Sequence, residues 1–391
     1  MSRVGNATRS RQRWLQQQLV RRLAIKNNGG PYLSTEARAL EKMNPLQADS
    51  AVSSPVRPWS LSLAVALAVG LPLMAGIATG QFALGGLAAL GALVILHIPP
   101  TATPIPMRRL LGCAVAVALC PLLGELVTAW PALTWPLFGF LIAAIVAVTR
   151  AVSLPPPGHT FFVLGACAGA AEGFHVSLLP YVLLAPLAGA FAAVAVAVVV
   201  GLLWRRALFA AQPDDSHAPA ASNVAQPSSR AIGIEALAFG VFAMIALAIA
   251  QTLGLDKPYW VPISCVAVMR GMTVQAVWSR NIERIAGTCF GVGITLLILV
   301  FHPHPPMIVS IFMLLVLAVH RTMGQNYAMT VLFATPASLM LTELMSLDRF
   351  MDLGLLITRV QDIVLGSMIG VLGGIALRSR REFQHPSQPG R

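Results

Sequence analysis

The chain has few charged residues. Asp, Glu, Lys and Arg make up 11% of its 391 residues, whereas 56% are hydrophobic. A soluble domain carries about 25% charged residues. The shortage of charge therefore excludes an ordinary soluble protein and indicates a membrane protein.

Lysine is scarce, and several catalytic motifs are absent. The three lysines are Lys26, Lys42 and Lys257, and none follows a glycine, which excludes the Gly-Lys of a P-loop. The sequence also contains neither His-Glu-x-x-His nor Gly-x-Ser-x-Gly. We expect no enzyme activity, no cofactor and no metal site, so active transport would have to use an ion gradient or a partner.

The cysteines indicate neither a disulfide framework nor a metal site. The five cysteines form no Cys-x-x-Cys pair, and all lie in apolar stretches: Cys113, Cys120, Cys167, Cys265 and Cys289. We expect them to be small buried hydrophobic residues and not disulfides or metal ligands.

Long apolar runs are what the chain has. A membrane-spanning helix needs about 20 apolar residues, and most of the twelve runs qualify, although 258–270 and 307–320 are short and 159–173 is rich in glycine. The runs lie near 59–78, 82–98, 109–128, 133–149, 159–173, 180–203, 232–254, 258–270, 284–301, 307–320, 327–344 and 353–377. The fold class predicted is all-α, a polytopic membrane protein with about 12 transmembrane helices in two six-helix halves.

Polar segments mark the boundaries of the halves. A basic tail, 1–57, precedes the first half, and a linker of Ala, Ser and Pro separates the halves. Met43 is a second possible start. The predicted organisation is tail 1–57, first half 58–204, linker 205–231, second half 232–378 and C-terminal tail 379–391.

The basic residues predict the orientation. The formal net charge is +12, and ten of the 27 Lys and Arg residues lie in 1–57. With the N-terminus inside and twelve spans, 24 basic residues fall on the cytoplasmic side and two outside. This is the positive-inside pattern, so we expect a multi-pass protein of the bacterial inner membrane, with both termini cytoplasmic and no nucleic-acid partner.

A weak internal repeat points to transport. The tetrapeptide at 109–112, Arg-Leu-Leu-Gly, recurs as Arg-Ile-Ala-Gly at 284–287, an offset of 175 residues. Two similar sets of apolar spans are typical of transporters that arose by duplication.

Motifs in the second half carry a family resemblance. The motifs are Lys-Pro-Tyr-Trp-Val-Pro at 257–262, Arg-Asn-Ile-Glu-Arg-Ile-Ala-Gly-Thr at 280–288, Asn-Tyr-Ala at 326–328, Thr-Pro at 335–336, Arg-x-x-Asp at 359–362 and Gly366. Together they resemble the fusaric acid resistance protein family of bacterial inner-membrane proteins, over about residues 232–378. The resemblance implies an efflux permease related to exporters of aromatic carboxylic acids.

Arg359 and Asp362 are the leading site candidates. They stand three residues apart on one face of the last span. Ionisable groups inside a membrane are costly and usually pair or line a cavity. Either Asp362 takes up a proton while Arg359 faces a carboxylate, or the two form a structural ion pair.

Five further residues are candidates for substrate contact or proton coupling. Arg284, at the start of the ninth run, could bind an anion, or it could act only in membrane orientation and helix packing. Glu172, at the outer end of the fifth run, could carry a proton. Glu235, in the seventh run, is either a second proton carrier or an acid in the first turn of its helix that complements the helix dipole. Tyr259 and Trp260 open the short eighth run, where they pack at the membrane interface or line a binding site.

The eleventh run contains a proline, which predicts an interruption of its helix. Pro336 follows Thr335 and frees a backbone carbonyl that a ligand, a water molecule or Thr335 itself must satisfy. Broken spans of this kind often mark binding sites in transporters, so Thr335 completes the candidate set.

The function predicted is a secondary, proton-coupled exporter of small organic, mainly aromatic, acids. A passive organic-anion channel on the same scaffold is one alternative, and a non-transporting envelope assembly protein is another. The predicted partners are the organic acid, membrane lipid, a second copy of the chain in a homodimer and a periplasmic adaptor protein.

Overall fold

The computed structural model describes residues 59–98, 107–154, 157–208, 228–270, 274–345 and 353–384. The predicted basic tail 1–57, Met43, most of the linker and the last residues of the C-terminal tail lie outside these ranges. Within them the chain forms twelve α-helices, two short 3-10 helices and no β-strand. The all-α prediction is confirmed.

The twelve helices follow the twelve apolar runs closely. They are α1 (Trp59–Thr79), α2 (Phe82–Ala92, continued by the 3-10 helix Leu93–His97), α3 (Met107–Val127), α4 (Thr134–Ala151), α5 (Thr160–Glu172), α6 (Leu179–Leu208), α7 (Ser229–Thr252), α8 (Trp260–Met269), α9 (Val274–Val300), α10 (Pro305–Thr322), α11 (Tyr327–Met345) and α12 (Leu353–Gln384). The second 3-10 helix, Pro131–Leu133, leads into α4.

Eight helices contain a segment long and apolar enough to cross a membrane, namely α1, α3, α4, α6, α7, α9, α10 and α12. The chain is therefore a multi-pass membrane protein. The other four apolar segments are shorter: Phe82–His97, Thr160–Glu172, Trp260–Met269 and Tyr327–Leu341. The short segments are α2, α5, α8 and α11, so each half has them at the same two places.

The helix contacts repeat between the halves. In the first half α1 packs on α2, α2 on α6, α3 on α5, and α3 on α6; in the second, α7 packs on α8, α8 on α12, α9 on α11, and α9 on α12. Close backbone contacts repeat as well. A Cβ added to Gly189 of α6 would meet the Ala88 carbonyl of α2, and one added to Gly366 of α12 would meet the Val261 carbonyl of α8. The two halves therefore share one architecture.

The halves meet most extensively through two equivalent helix pairs, α4 with α7 and α1 with α10, and less extensively through α5 with α8 and α2 with α11. In the first pair Arg150 forms a salt bridge of 2.5 Å with Glu235. In the second pair Ser62 Oγ lies 2.8 Å from His320 Nδ1, with both side chains fully buried. Each contact joins a side chain of one half to a side chain of the other.

Glu235 differs from the expectation of a helix-terminal acid. The helix starts at Ser229, and the Ser228 hydroxyl caps it by accepting from the Ala231 N–H at 3.3 Å. Glu235 therefore lies in the second turn, where it is 5% exposed and bound to Arg150. Its charge balances an arginine of the other half and not the helix dipole.

The tetrapeptide repeat does not mark equivalent positions, although the architecture repeats. Gly287 packs against Ala328 and Val331 of α11, whereas a Cβ added to Gly112 would meet open space. Arg284 is half-buried. Arg109 is exposed, and its Nη2 donates to the Val152 carbonyl. The four-residue match therefore joins residues with different surroundings, although the helix contacts of the two halves repeat.

Four of the five cysteines are buried, as expected for small hydrophobic residues, but Cys289 is exposed. The prediction was wrong for Cys289 because α9 presents part of its apolar surface outward, including Phe290 and Leu297. In a membrane protein such a surface faces lipid, so an apolar position is not necessarily a buried one.

Candidate functional site

A small cleft lies where the start of α8, the middle of α11 and the first turns of α12 meet. Its lining residues are Lys257, Trp260, Ser338, Leu339, Thr358, Arg359 and Asp362. In this conformation it has space for about one water molecule. Three of the predicted site residues, Trp260, Arg359 and Asp362, come together here.

Arg359 is held by two neighbouring helices. Its guanidinium carbon lies 3.7 Å from the centre of the Trp260 ring, and its Nη2 donates to Ser338 Oγ at 3.1 Å. A cation over a tryptophan face is attracted to the ring, most strongly where water is excluded. Arg359 is 8% exposed, yet its Nε and Nη1 donate no hydrogen bond. The side chain is therefore positioned with two donor groups unused.

Asp362 is fully buried, and neither of its carboxylate oxygens accepts a hydrogen bond. It forms no ion pair with Arg359 either, because the one salt bridge among the described residues joins Arg150 and Glu235. A buried negative charge without such partners is costly, and binding a proton removes it. The arrangement thus departs from the structural ion pair that the sequence left open.

Arg284 approaches the same part of α8 from α9. Its Nη1 donates to Tyr327 Oη at 3.2 Å and its Nη2 to Ser264 Oγ at 3.1 Å. The Ser264 hydroxyl in turn donates to the Trp260 carbonyl at 3.2 Å. Arg284 and Arg359 therefore contact opposite ends of the first turn of α8, which places two cations close together within the second half.

Thr335 does not line the cleft. Its hydroxyl donates to the Val331 carbonyl at 2.9 Å, and its side chain packs against Gly291 of α9. Its own carbonyl accepts from Ser338 Oγ at 2.8 Å, and that serine also holds Arg359. Thr335 thus contributes to the cleft indirectly, by holding the Ser338 hydroxyl that contacts Arg359.

Tyr259 and Glu172 lie away from the cleft. Tyr259 is 9% exposed and packs edge-on against Phe138 of α4, with ring centres 5.8 Å apart. Glu172 is the last residue of α5 and is exposed. Neither residue belongs to the cleft lining, so the structure does not bring these two candidates to Arg359.

Ser338 and Glu125 are among the residues that the sequence reasoning missed. Ser338 follows Thr335 by three residues, so it belongs to the same face of α11, and this spacing could have revealed it. Glu125 is the single acid inside the apolar run 109–128. It is fully buried, and its Oε1 accepts from the His175 backbone N–H at 2.9 Å.

A stretch of the second half matches a known protein family. Residues 245–373 match the model of the fusaric acid resistance protein-like family. This confirms the resemblance read from the motifs. The matched stretch runs from the end of α7 into α12 and contains every residue that lines the cleft.

One relative is similar over a comparable length. The uncharacterized membrane protein YvaC of Bacillus subtilis is 36% identical over 148 residues, which is 38% of this chain and 23% of the relative. The chain thus spans less than a quarter of the curated relative that it matches. No solved structure matches the chain at a significant level.

Proposed function

We propose that the chain is a secondary exporter that moves small organic acids, mainly aromatic ones, out of the cell across a bacterial inner membrane. The proton gradient drives export. All twelve apolar helices cross the membrane, and both termini are cytoplasmic. The resemblance to fusaric acid resistance proteins and the repeated halves with paired short helices support transport, because such helices mark binding sites in transporters.

The observation that carries the proposal is the pair of incompletely bonded ionisable groups in the cleft. Arg359 has two donor groups without acceptors, and Asp362 has two oxygens without donors. Buried polar groups are otherwise nearly always hydrogen-bonded. An arriving carboxylate accepts from Arg359, and a proton from outside binds Asp362. The cation selects an anion, and the acid couples its movement to the proton.

The size of the cleft places a condition on this mechanism. Space for about one water molecule does not admit an aromatic ring. The Trp260 face is also covered by Arg359, so the tryptophan orients the arginine and does not stack on the ligand. Substrate therefore enters in a conformation in which α8, α11 and α12 have moved apart, as alternating access requires.

A panel of organic acids tests the proposed function. We expect expression of the chain in a sensitive bacterial strain to raise tolerance to benzoate and salicylate, with no change for neutral benzamide, which lacks the carboxylate. Unchanged tolerance to every acid, with the protein present in the membrane, would contradict export. If efflux of labelled benzoate continues at full rate after an uncoupler collapses the gradient, the scaffold is a passive anion channel.

A further inference from the structure

Buried polar groups without hydrogen bonds continue from the cleft along the seam between α9 and α12. The atoms concerned are Asn281 Oδ1, Arg284 Nε, Thr288 Oγ1 and Ser367 Oγ. Asn281, Thr288 and Ser367 are 7%, 1% and 0% exposed. Since buried side-chain polar atoms are mostly bonded, a row of such exceptions along one helix pair calls for an explanation.

The helix register places these groups in one line. Positions 281, 284 and 288 share a face of α9, and Gly374 of α12 packs against Val277 of the antiparallel α9. Arg284 lies seven residues after Val277, and Ser367 lies seven residues before Gly374, so these two residues are at the same level in the antiparallel pair. Four residues beyond that, Thr288 is level with the turn that contains Asp362. The line thus runs from Asn281 past Arg284 to the depth of the cleft.

The missing hydrogen bonds are not the ordinary state of hydroxyls in these helices. A serine or threonine inside a helix commonly donates to the carbonyl four residues earlier. Thr295 of α9 does so with Gly291 at 3.0 Å, as Ser264 does with Trp260 at 3.2 Å. Thr288 and Ser367 do not, so their hydroxyls are free to bond a water molecule or an anion.

The equivalent seam of the first half is apolar apart from one acid near its end. Among the described side chains of α3 and α6, the one buried polar residue is Glu125, near the end of α3; its Oε1 accepts from the His175 backbone N–H, and its Oε2 accepts no hydrogen bond. Ala190 of α6 follows Gly189 as Ser367 follows Gly366, and both glycines pack on the equivalent short helix. The polar line therefore belongs to the second half alone, although the architecture is shared.

We propose that the seam between α9 and α12 is the route by which the organic anion crosses the inner part of the bundle. Resting on the proposed function, this adds Asn281, Thr288 and Ser367 as residues that line the path. Arg284 is the first cationic position that the carboxylate meets, and Arg359 is the second. The hydroxyls replace water around the anion between them. The first half serves as the scaffold against which the seam opens.

Thiol labelling tests the route. Single cysteines at Thr288 and Ser367, in a full-length chain whose native cysteines are alanine, should react with the anionic, membrane-impermeant sulfonatoethyl methanethiosulfonate. Benzoate at ten times its half-saturating concentration should slow both reactions about tenfold by competition. The matched control, Ala190→Cys, should stay unlabelled because its seam is dry. Equal labelling of Ala190→Cys, or no labelling of either seam cysteine in a protein that still transports benzoate, would overturn the route.

Transport by isosteric variants separates the route from the proposed function. Thr288→Val and Ser367→Ala should each slow benzoate transport about tenfold at unchanged protein level, because a desolvated anion loses one hydrogen bond. Thr295→Val, which removes a hydroxyl bonded within its own helix, should transport normally. If both seam variants transport at the wild-type rate while Arg359→Gln does not, the route is wrong and the exporter stands. If the wild-type chain moves no acid, the proposed function itself fails.

Discussion

Asp362→Asn is expected to abolish proton-driven accumulation of organic acid while leaving exchange of acid across the membrane. The side chain keeps its size but can no longer bind and release a proton. A gradient of one pH unit is worth about 1.4 kcal/mol, which supports about a tenfold concentration ratio for one proton per anion. In the variant this ratio should fall to the passive distribution found in membrane vesicles without the chain, as measured with labelled benzoate.

The matched control for this prediction is Asp256→Asn. Asp256 is an exposed acid in the loop before α8, and it accepts from Thr358 at 3.4 Å. The substitution makes the same change of charge at the mouth of the cleft, so coupling should persist. Full coupling in Asp362→Asn would exclude Asp362 as the proton carrier and would direct attention to Glu125 and Glu235, the other buried acids in the described part of the chain.

Arg359→Gln is expected to weaken the apparent affinity for organic acids by about ten- to a hundredfold, since a hydrogen bond to a charged group is worth about 1.5–3 kcal/mol. Arg359→Lys should recover part of the affinity, because it restores the charge but not the planar group that lies over Trp260. The half-saturating concentration of benzoate, measured at matched expression, is the quantity to compare.

Arg321 offers a control of the same geometry. Its guanidinium carbon lies 4.3 Å from the centre of the Trp59 ring, at a contact of α10 with α1 outside the cleft. Arg321→Gln removes an arginine from a tryptophan face in the same way and should leave the affinity for benzoate unchanged. Equal losses in both variants would show that the effect of Arg359 is one of packing.

The expected protein levels follow from the absence of an ion pair between Arg359 and Asp362. Removing one partner of a closed, buried ion pair costs about 3–5 kcal/mol. Here neither substitution breaks such a bond, so both single variants should accumulate near the wild-type level. A sharp drop in either, restored in the double variant, would mean that the two groups pair in the membrane after all.

The helices could be predicted from the sequence because the membrane constrains them so strongly. In lipid every backbone polar group must be bonded within its own segment, so apolar runs of sufficient length have few alternatives to a helix. Even the short run at 258–270 forms a helix, α8. The positions of the helix ends were less accurate, since a helix can continue beyond its apolar run: α12 extends to Gln384, whereas the run ended at 377.

The composition of the site could be predicted only in part. Arg359 and Asp362 stand out because charge is rare in apolar runs. The adjacent Tyr259 and Trp260 are alike in chemistry, yet one packs on Phe138 and the other holds Arg359. That difference depends on which helices lie on either side of α8, and the pattern of residues along one chain does not contain this information. Ser338 is a different case, because its three-residue spacing from Thr335 could have revealed it.

The most direct test of the account is transport by the purified chain in liposomes. With the lumen made acidic, proton-coupled export predicts that labelled benzoate accumulates inside against its own gradient, whereas passive permeation of neutral benzoic acid concentrates benzoate on the alkaline side. Proton-coupled export also predicts that collapsing the pH gradient, or substituting Asp362→Asn, abolishes the accumulation. Benzoate that distributes in liposomes containing the wild-type chain as it does in protein-free liposomes, whatever the pH gradient, would contradict proton-coupled export.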